Sequence, residues 1–381
     1  MPKLHSIPCQ IYRGGTSKGV FFAETDLPPK GAERDSAILA VMGSPDLRQI
    51  DGLGGSVSTT SKIAIIAPSA QPGCDVDYTF GQVSLDVPLV DYKSNCGNIL
   101  SAVGPYAVEN GLVPVAGETT LVRIYNTNTK KVIYSYVPTP EGYVEYAGDC
   151  VIPGVPGSSA PFRIAFTHPA GAVTGKLLPT GNPKDILEVP GLGSLEVSFV
   201  DSTNPLVFVR AEDLGLTGCE LPNDIDGDKA LSALLETIRG VAAVRLGFLT
   251  DRADSVSKSP AVPKLTIVSP PRDYPTVSGG VVRGADCDIV SRMMSMQRAH
   301  KTHAFSGALC EASAAAVPGT IVSDIVGPGH TEIRVGHTDG VMVTGVTLGE
   351  TKDGVPEITE AYGLRTARKL LSGTAYYLPR P

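Results

Sequence analysis

The sequence predicts an α+β protein made of two similarly ordered halves. Three observations carry that expectation. Strand-like apolar runs recur through both halves, each bounded by glycine, proline or asparagine. Each half also holds one helix of small residues behind a turn that carries a glycine: 99–105 behind Asn95-Cys96-Gly97-Asn98, and 308–317 behind Ser306-Gly307. Finally, 381 residues exceed one ordinary core and suit two domains. The 42 glycines and 31 prolines favour many turns and a strand-rich chain. No residue-level repeat is visible, so the duplication is read from the order of elements alone.

Bulk composition narrows the function. With 42% hydrophobic and 19% charged residues the chain reads as well-buried and globular. A formal charge of −7 argues against broad nucleic-acid binding, which needs a basic face, yet leaves room for a local positive pocket for a small anion. No apolar stretch has the length of a membrane span, and the first residues lead straight into a strand-like run, not a signal peptide. Seven cysteines, none at Cys-x-x-Cys spacing, and six histidines give no zinc-site pattern, so no metal is expected. Reduced thiols in a cytoplasmic enzyme fit this usage.

In chain order, residues 6–12 read as a strand, followed by Arg13-Gly14-Gly15-Thr16-Ser17-Lys18-Gly19 and a second strand from Val20. That loop offers backbone N–H groups, the Thr16 and Ser17 hydroxyls and a cation, all suited to a carboxylate. A tight hairpin is its plain structural reading, and it lacks the order of a Walker A loop. Residues 33–42 have helical periodicity. Lys62, preceded by Ser61, heads an otherwise apolar strand. Lysine is rarely buried unless paired, so it lies either at a solvated edge or on a pocket wall, where it would serve as a base. The glycines and hydroxyls nearby favour the wall.

Residues 75–90 give two strand-like runs before the cysteine turn. There Asn95 is expected to cap a helix whose first turn holds Cys96, Gly97 and Asn98, with unpaired N–H groups and positive dipole charge at its end. Cysteine in such a place is biased toward thiolate; its plain alternative is a small buried hydrophobe. Residues 121–125 and 131–137 form a hairpin, 148–161 wraps the surface, and 176–183 is turn-forming, near a domain boundary. Strands at 195–200 and 204–209, an amphipathic helix at 229–243 and a strand at 264–268 follow. Residues 289–298 alternate ambiguously and fit a helix that is Met-rich on one side. His300, Lys301 and His303 lie in a polar loop before the second small-residue helix.

Taken together, Arg-Gly-Gly-Thr-Ser-Lys-Gly (13–19), Asp-Gly-Leu-Gly-Gly (51–55), Thr-Ser-Lys (60–62), Asn-Cys-Gly-Asn (95–98), Leu-Pro-Thr-Gly-Asn (178–182) and Ala-Val-Pro-Gly-Thr (316–320) carry a resemblance. Over nearly its whole length the chain resembles the PrpF-like family of 2-methylaconitate cis–trans isomerases and 3-methylitaconate Δ-isomerases, which also includes oxalomesaconate tautomerase and aconitate isomerase. The resemblance implies a diaminopimelate-epimerase-like fold: two pseudo-symmetric domains, each a curved sheet around a central helix. The domains would be 1–186, joined by the tail 372–381, and 187–371. The amino-acid epimerases of this fold place a second cysteine at the second central helix. Here Ser306-Gly307 stands there, with Cys310 a turn further in, which weakens a racemase reading.

The resemblance implies Lys62 and Cys96 as the working pair of a cofactor-free isomerase. It would move a proton across the allylic system of an unsaturated di- or tricarboxylate, giving a double-bond shift or cis–trans exchange, and which of the two residues is base stays open. The dienolate formed on the way needs preformed donors. Thr16, Ser17, Ser61, Asn95, Gly97, Asn98, Asn204, Lys301, Ser306 and Gly307 are the expected substrate-binding set. The expected partner is a small polycarboxylate, with neither nucleic acid nor membrane, and exposed sheet edges allow a homo-oligomer. The competing readings are an amino-acid racemase of the same fold, a Cys96–His300 hydrolase lacking an identifiable third residue, and a non-catalytic tricarboxylate-binding protein.

Overall fold

The computed structural model describes residues 4–92, 96–352 and 354–378. The chain divides into two compact units, Met1–Ala165 with Leu364–Pro381, and Phe166–Gly363. These limits differ from the expected 1–186 and 187–371. Residues 166–186 fold into the second unit, where His168 N donates to Thr359 O at 2.8 Å and Gly171 N to Asp201 O at 2.7 Å. The chain returns to the first unit earlier than residue 372. The strand Ala367–Tyr377 pairs antiparallel with the N-terminal strand from Gly14↔Ala367 to His5↔Tyr377.

The first unit is a mixed sheet. β1 (His5–Gly14) and β2 (Ser17–Ala23) form a hairpin, and β2 runs parallel to β3 (Lys62–Pro68). Parallel neighbours need a crossover, which contains α1 (Ala32–Met42), close to the predicted 33–42. Gly43 ends α1 in the left-handed region, φ 74°, as a C-terminal glycine does. β3 then pairs antiparallel with β4 (Val76–Val83). A second crossover, with the short helices α2 (Gly97–Leu100) and α3 (Val103–Glu109), leads to β5 (Thr119–Asn126), parallel to β4. β6 (Lys131–Pro138) closes with β5 as the predicted hairpin. Val20, Phe22, Ile63 and Ile65 pack with Ile38 and Met42 of α1 on one face. Phe21 meets Tyr106 of α3 at 5.7 Å between ring centroids, so α3 packs against the opposite face.

The second unit repeats that order. β7 (Gly193–Ser202) and β8 (Asn204–Arg210) are antiparallel. α4 (Lys229–Arg245) lies in the crossover to β9 (Lys264–Ser269), which is parallel to β8. β9 pairs antiparallel with β10 (Ile289–Ser295), and α5 (Phe305–Ala316) lies in the crossover to β11 (Glu332–His337), parallel to β10. β12 (Gly340–Lys352) closes antiparallel to β11. The faces again divide, with Val207, Val209, Leu265 and Ile267 packing on α4 and Leu206, Phe208, Val268 and Met293 on α5. The expected helix at 289–298 is thus a strand. Its first six residues are all buried between β9 and β11, and a strand covered on both faces loses the alternation that identifies it.

Candidate functional site

In the first unit the β1–β2 hairpin and the opening of α2 are built against each other. Residues 13–19 form the tight hairpin, with Gly14 opposite Ser17 and Gly15 and Thr16 at its tip. Gly15 has φ 48°, and its N–H donates to Thr366 O at 2.8 Å. The Arg13 guanidinium holds the tip from behind, donating to Gly15 O and to the carbonyl and hydroxyl of Thr366. A Cβ on Gly14 would lie 2.2 Å from Asn98 O, and one on Gly15 2.3 Å from Asn98 Oδ1, so only glycine lets the tip meet α2 this closely. Asn98 Nδ2 donates to Thr16 Oγ1 at 2.9 Å. Gly97, Asn98 and Thr16 therefore come together, while Ser17 is buried beneath them.

The cysteine stands one position earlier than expected. α2 begins at Gly97, and Cys96 occupies the N-cap place with extended backbone, φ −134° and ψ 104°. Its thiol is partly exposed, and its carbonyl accepts from Leu100 N at 3.0 Å. Asn95 lies outside the described residues. The helix is interrupted at Ser101-Ala102, and Pro105 falls in the first turn of α3, where a missing N–H costs nothing.

Lys62 is 9% exposed. Its Nζ donates to Gln82 Oε1 at 2.6 Å and sits 5.1 Å from the centre of the Phe80 ring. Among the described residues these partners are a neutral amide and an aromatic face. Ser61 is otherwise committed. Fully buried, it donates to Val83 O at 2.9 Å and accepts from Gln49 Nε2 at 2.7 Å. The Asp51–Gly55 loop packs around Gln49, since a Cβ on Gly54 would lie 2.1 Å from its side chain. This motif thus fastens the start of β3.

Tyr78, Phe80 and Gln82 alternate along β4 and so share one face of it. Gln82 binds Lys62, and Phe80 stacks beneath it. Tyr78 is fully buried, and among the described residues its hydroxyl has no hydrogen-bond partner, a vacancy that ordinarily costs about 1–3 kcal/mol. Burial holds the Tyr78 phenol well above its usual range, and the Cys96 sulfur adds to the rise. Asn128 fixes the same region, with its side chain bonded to both backbone groups of Phe80 and donating to Tyr92 O at 2.7 Å. Sequence reasoning missed Gln82, Tyr78 and Asn128. The register Lys62↔Gln82 is the signal that finds the first.

In the second unit, Ser306 and Gly307 are the second and third residues of α5. Thr203 Oγ1 donates to Ser306 O at 2.6 Å, which brings the β7–β8 turn and Asn204 to the start of α5. Among the described residues, Asn204 Oδ1 is buried without a partner. Gly307 packs closely on Met293, since a Cβ there would lie 2.0 Å from Met293 Cε and the methionine end would have to move. Lys301 is exposed. His303, read as a polar loop residue, is buried at 4% exposure, with Nε2 3.1 Å from Ser291 Oγ and 3.3 Å from Glu311 Oε2. His300 is pushed down to about 4, chiefly by burial and further by His303 and Lys264. Cys310 is a core thiol donating to Val200 O, and burial raises it far above the usual thiol range. No second reactive thiol stands on α5.

A family model described as PrpF protein matches residues 4–378. The chain is 45% identical over 373 residues to 3-methylitaconate isomerase from Eubacterium barkeri, covering 97% of each. It is 40% identical over 394 residues to 2-methyl-aconitate isomerase from Shewanella oneidensis, covering 100% of this chain and 98% of that one. A solved structure of methylitaconate-delta-isomerase superposes with TM-score 0.91 at 45% identity, over 98% of this chain and 96% of that one. The fold is accordingly of the expected diaminopimelate-epimerase-like type.

Proposed function

The chain belongs to the PrpF family and is an isomerase of small unsaturated carboxylates, and from that premise we propose that Lys62 and Cys96 move the proton. One observation carries the assignment. A nearly buried lysine bonded to the Gln82 amide and set over the Phe80 ring stands at the head of β3, and a partly exposed thiol stands at the opening of α2 in the same unit.

One of the pair removes a proton from the carbon conjugated with a substrate carboxylate. The electron pair spreads through the allyl system onto carboxylate oxygen as a dienolate, and the other group returns a proton. Return at the far carbon shifts the double bond; rotation before return exchanges cis and trans. No electrons leave the substrate, so the proposal needs no cofactor. The developing charge is met by the Lys62 ammonium when it is protonated, and by donors at Thr16, Gly97 and Asn98. Asn204, Ser306, Gly307 and Lys301 are also proposed to bind substrate. The substrate is proposed to be of the 3-methylitaconate or 2-methylaconitate type, because relatives of each name match over the full chain. Seven thiols without a disulfide among the described residues support a cytoplasmic setting.

The test is proton NMR in heavy water with 3-methylitaconate, 2-methylaconitate, aconitate and oxalomesaconate. The wild type is expected to incorporate deuterium into at least one of them during isomerisation. Lys62→Ala and Cys96→Ser are each expected to lose about 10²–10⁴-fold in turnover, the usual worth of a positioned acid or base. Full exchange and turnover in both variants would overturn the assignment.

A further inference from the structure

Lys264 is a cation that the function proposed above does not use, and sheet register gives it the place in the second unit that Lys62 has in the first. Each lysine is the first residue of a strand, β3 or β9, that runs parallel to the second strand of a hairpin. Each stands opposite the third residue of that strand, Lys62 opposite Gly19 and Lys264 opposite Leu206. The faces agree as well. Ile63 and Ile65 pack with α1, and Leu265 and Ile267 with α4. Alternation therefore puts Lys62 on the face opposite α1, and Lys264 on the face that α5 covers. Across the antiparallel neighbour each meets a neutral side chain. For Lys62 this is Gln82; for Lys264 it is Ser295, two steps beyond the pair Thr266↔Met293, with Nζ donating to Oγ at 3.3 Å.

The surroundings of Lys264 leave its charge unmet. The residue is partly buried, and among the described residues it has no ion pair. Burial pulls its ammonium below the usual lysine range, and Arg239 adds to the fall. An ammonium drawn out of water needs an anion or several acceptors, and one hydroxyl is what the protein supplies. Two residues further along the same face Thr266 is fully buried, and among the described residues its Oγ1 has no partner. Leu206, opposite Lys264, lies two residues after Asn204, and the adjoining Thr203 is bonded to Ser306 O. Lys264 thus stands at the end of the sheet where α5 opens, on the side that α5 covers.

We infer that Lys264 is a substrate-binding residue whose ammonium pairs with a carboxylate of the unsaturated acid at the opening of α5. The inference deepens the reading of Ser306 and Gly307 as substrate-binding and rests on it, while it is independent of the Lys62–Cys96 assignment. The helix opening offers a carboxylate N–H groups and partial positive charge, and the lysine adds a full one. The pair exists before and after the proton moves, so it acts on binding and not on the barrier.

The experiment is steady-state kinetics of the full-length wild type, Lys264→Met and Lys264→Arg, at low and high salt, on the acid of the NMR panel that turns over fastest. Lys264→Met keeps the length of the side chain and removes its charge. Its KM is expected to rise about tenfold or more, the usual size for a lost hydrogen bond to a charged group, with kcat changed less. Its KM is also expected to respond less to salt than that of the wild type, because screening acts on the charge pair. Lys264→Arg is expected to recover most of the lost affinity. A wild-type KM in Lys264→Met overturns the proposal. Should that variant fail to fold, acetylation of wild-type lysines by acetic anhydride, read by peptide mass spectrometry, gives the answer. Saturating substrate is expected to protect Lys264, and an unchanged acetylation rate there overturns the proposal. Ser306→Ala in parallel separates the two readings. A raised KM there beside a wild-type KM in Lys264→Met overturns the lysine alone; the reverse sinks the reading of Ser306 and keeps Lys264 as the binding cation.

Discussion

Gln82 shows how a neutral side chain acquires a role from its register. Opposite Lys62 across β3 and β4, it accepts from Nζ at 2.6 Å and spends its own amide on Ser61 O and Ser58 O at 2.8 and 3.0 Å. The lysine is thereby aimed by a group that is itself fixed twice to the loop before β3. Replacing Gln82 with Leu keeps the bulk and removes all three bonds. Turnover is expected to fall about tenfold, corresponding to roughly 1.4 kcal/mol of barrier, with a smaller change in KM. Steady-state kinetics on the best substrate of the NMR panel check this; kinetics equal to wild type would show that Lys62 needs no aiming. At this scale the sequence was legible for residues whose type announces chemistry. A lysine at the head of an apolar strand and a cysteine beside Gly97 could be singled out by eye. Tyr78, Gln82 and Asn128 could not, because a phenol or amide in a strand or turn has no local signal, and Gln82 and Asn128 take their partners from distant stretches of the chain.

At the scale of elements, the glycine motifs are contact surfaces. The β1–β2 tip meets α2 at van der Waals limits, with space for hydrogen alone at Gly14. Gly14→Ala would drive a methyl into the Asn98 carbonyl, a backbone atom that cannot swing away. It is expected to cost about 1–3 kcal/mol in stability, the usual range for overpacking. It is also expected to disturb the Thr16–Asn98 bond, with a loss of activity larger than the loss of folded protein explains. Urea unfolding together with turnover per folded molecule measures both, and an active, equally stable Gly14→Ala would remove the close approach from the argument. The 178–182 and 316–320 motifs are likewise structural, with Leu178 and Val317 in one core cluster and the residues that follow each motif, Pro183 and Ile321, joined through Ser198. Gly319, at φ 84°, leaves its Cβ position 3.4 Å from Pro183, and Ser198 Oγ donates to Pro183 O while accepting from Ile321 N. The sequence marked both motifs without showing that they touch, since about 140 residues separate them.

Across the whole molecule the two units have the same strand order and the same alternation of parallel crossovers, which agrees with the duplication read from element order. Among the described residues no helix is long and apolar enough to cross a membrane. Global stability should carry one legible pH dependence. His300 is held at about 4 against an ordinary 6.5, mainly by burial, so the folded protein resists taking up the proton that the unfolded chain accepts. Its contribution is full above about pH 6.5, falls as the pH drops through 6.5 to 4, and is flat below that. His300→Asn is expected to be less acid-sensitive than wild type across that window, by on the order of 2 kcal/mol. Urea midpoints at pH 7, 5.5 and 4.5 test this; parallel losses in both proteins would assign the acid sensitivity elsewhere.

What the sequence determined by itself is the chemistry and the class: an α+β chain in two halves, a lysine and a thiol set among glycines, and a combination of motifs specific to one family. Those features are local, carried by residue type and by spacings of a few positions. The tertiary structure decided the rest. It moved the unit boundary to residue 166, because the backbone of 168–177 bonds to strands of the second unit. It made 289–295 a strand, because burial on both faces erases the alternation that a sequence can show. It took Ser61 and His303 out of the polar surface and into buried bonds, and put Gln82 against Lys62. In each case the deciding partner is dozens of residues away or on a neighbouring strand, and only the register of the sheet sets which atoms meet.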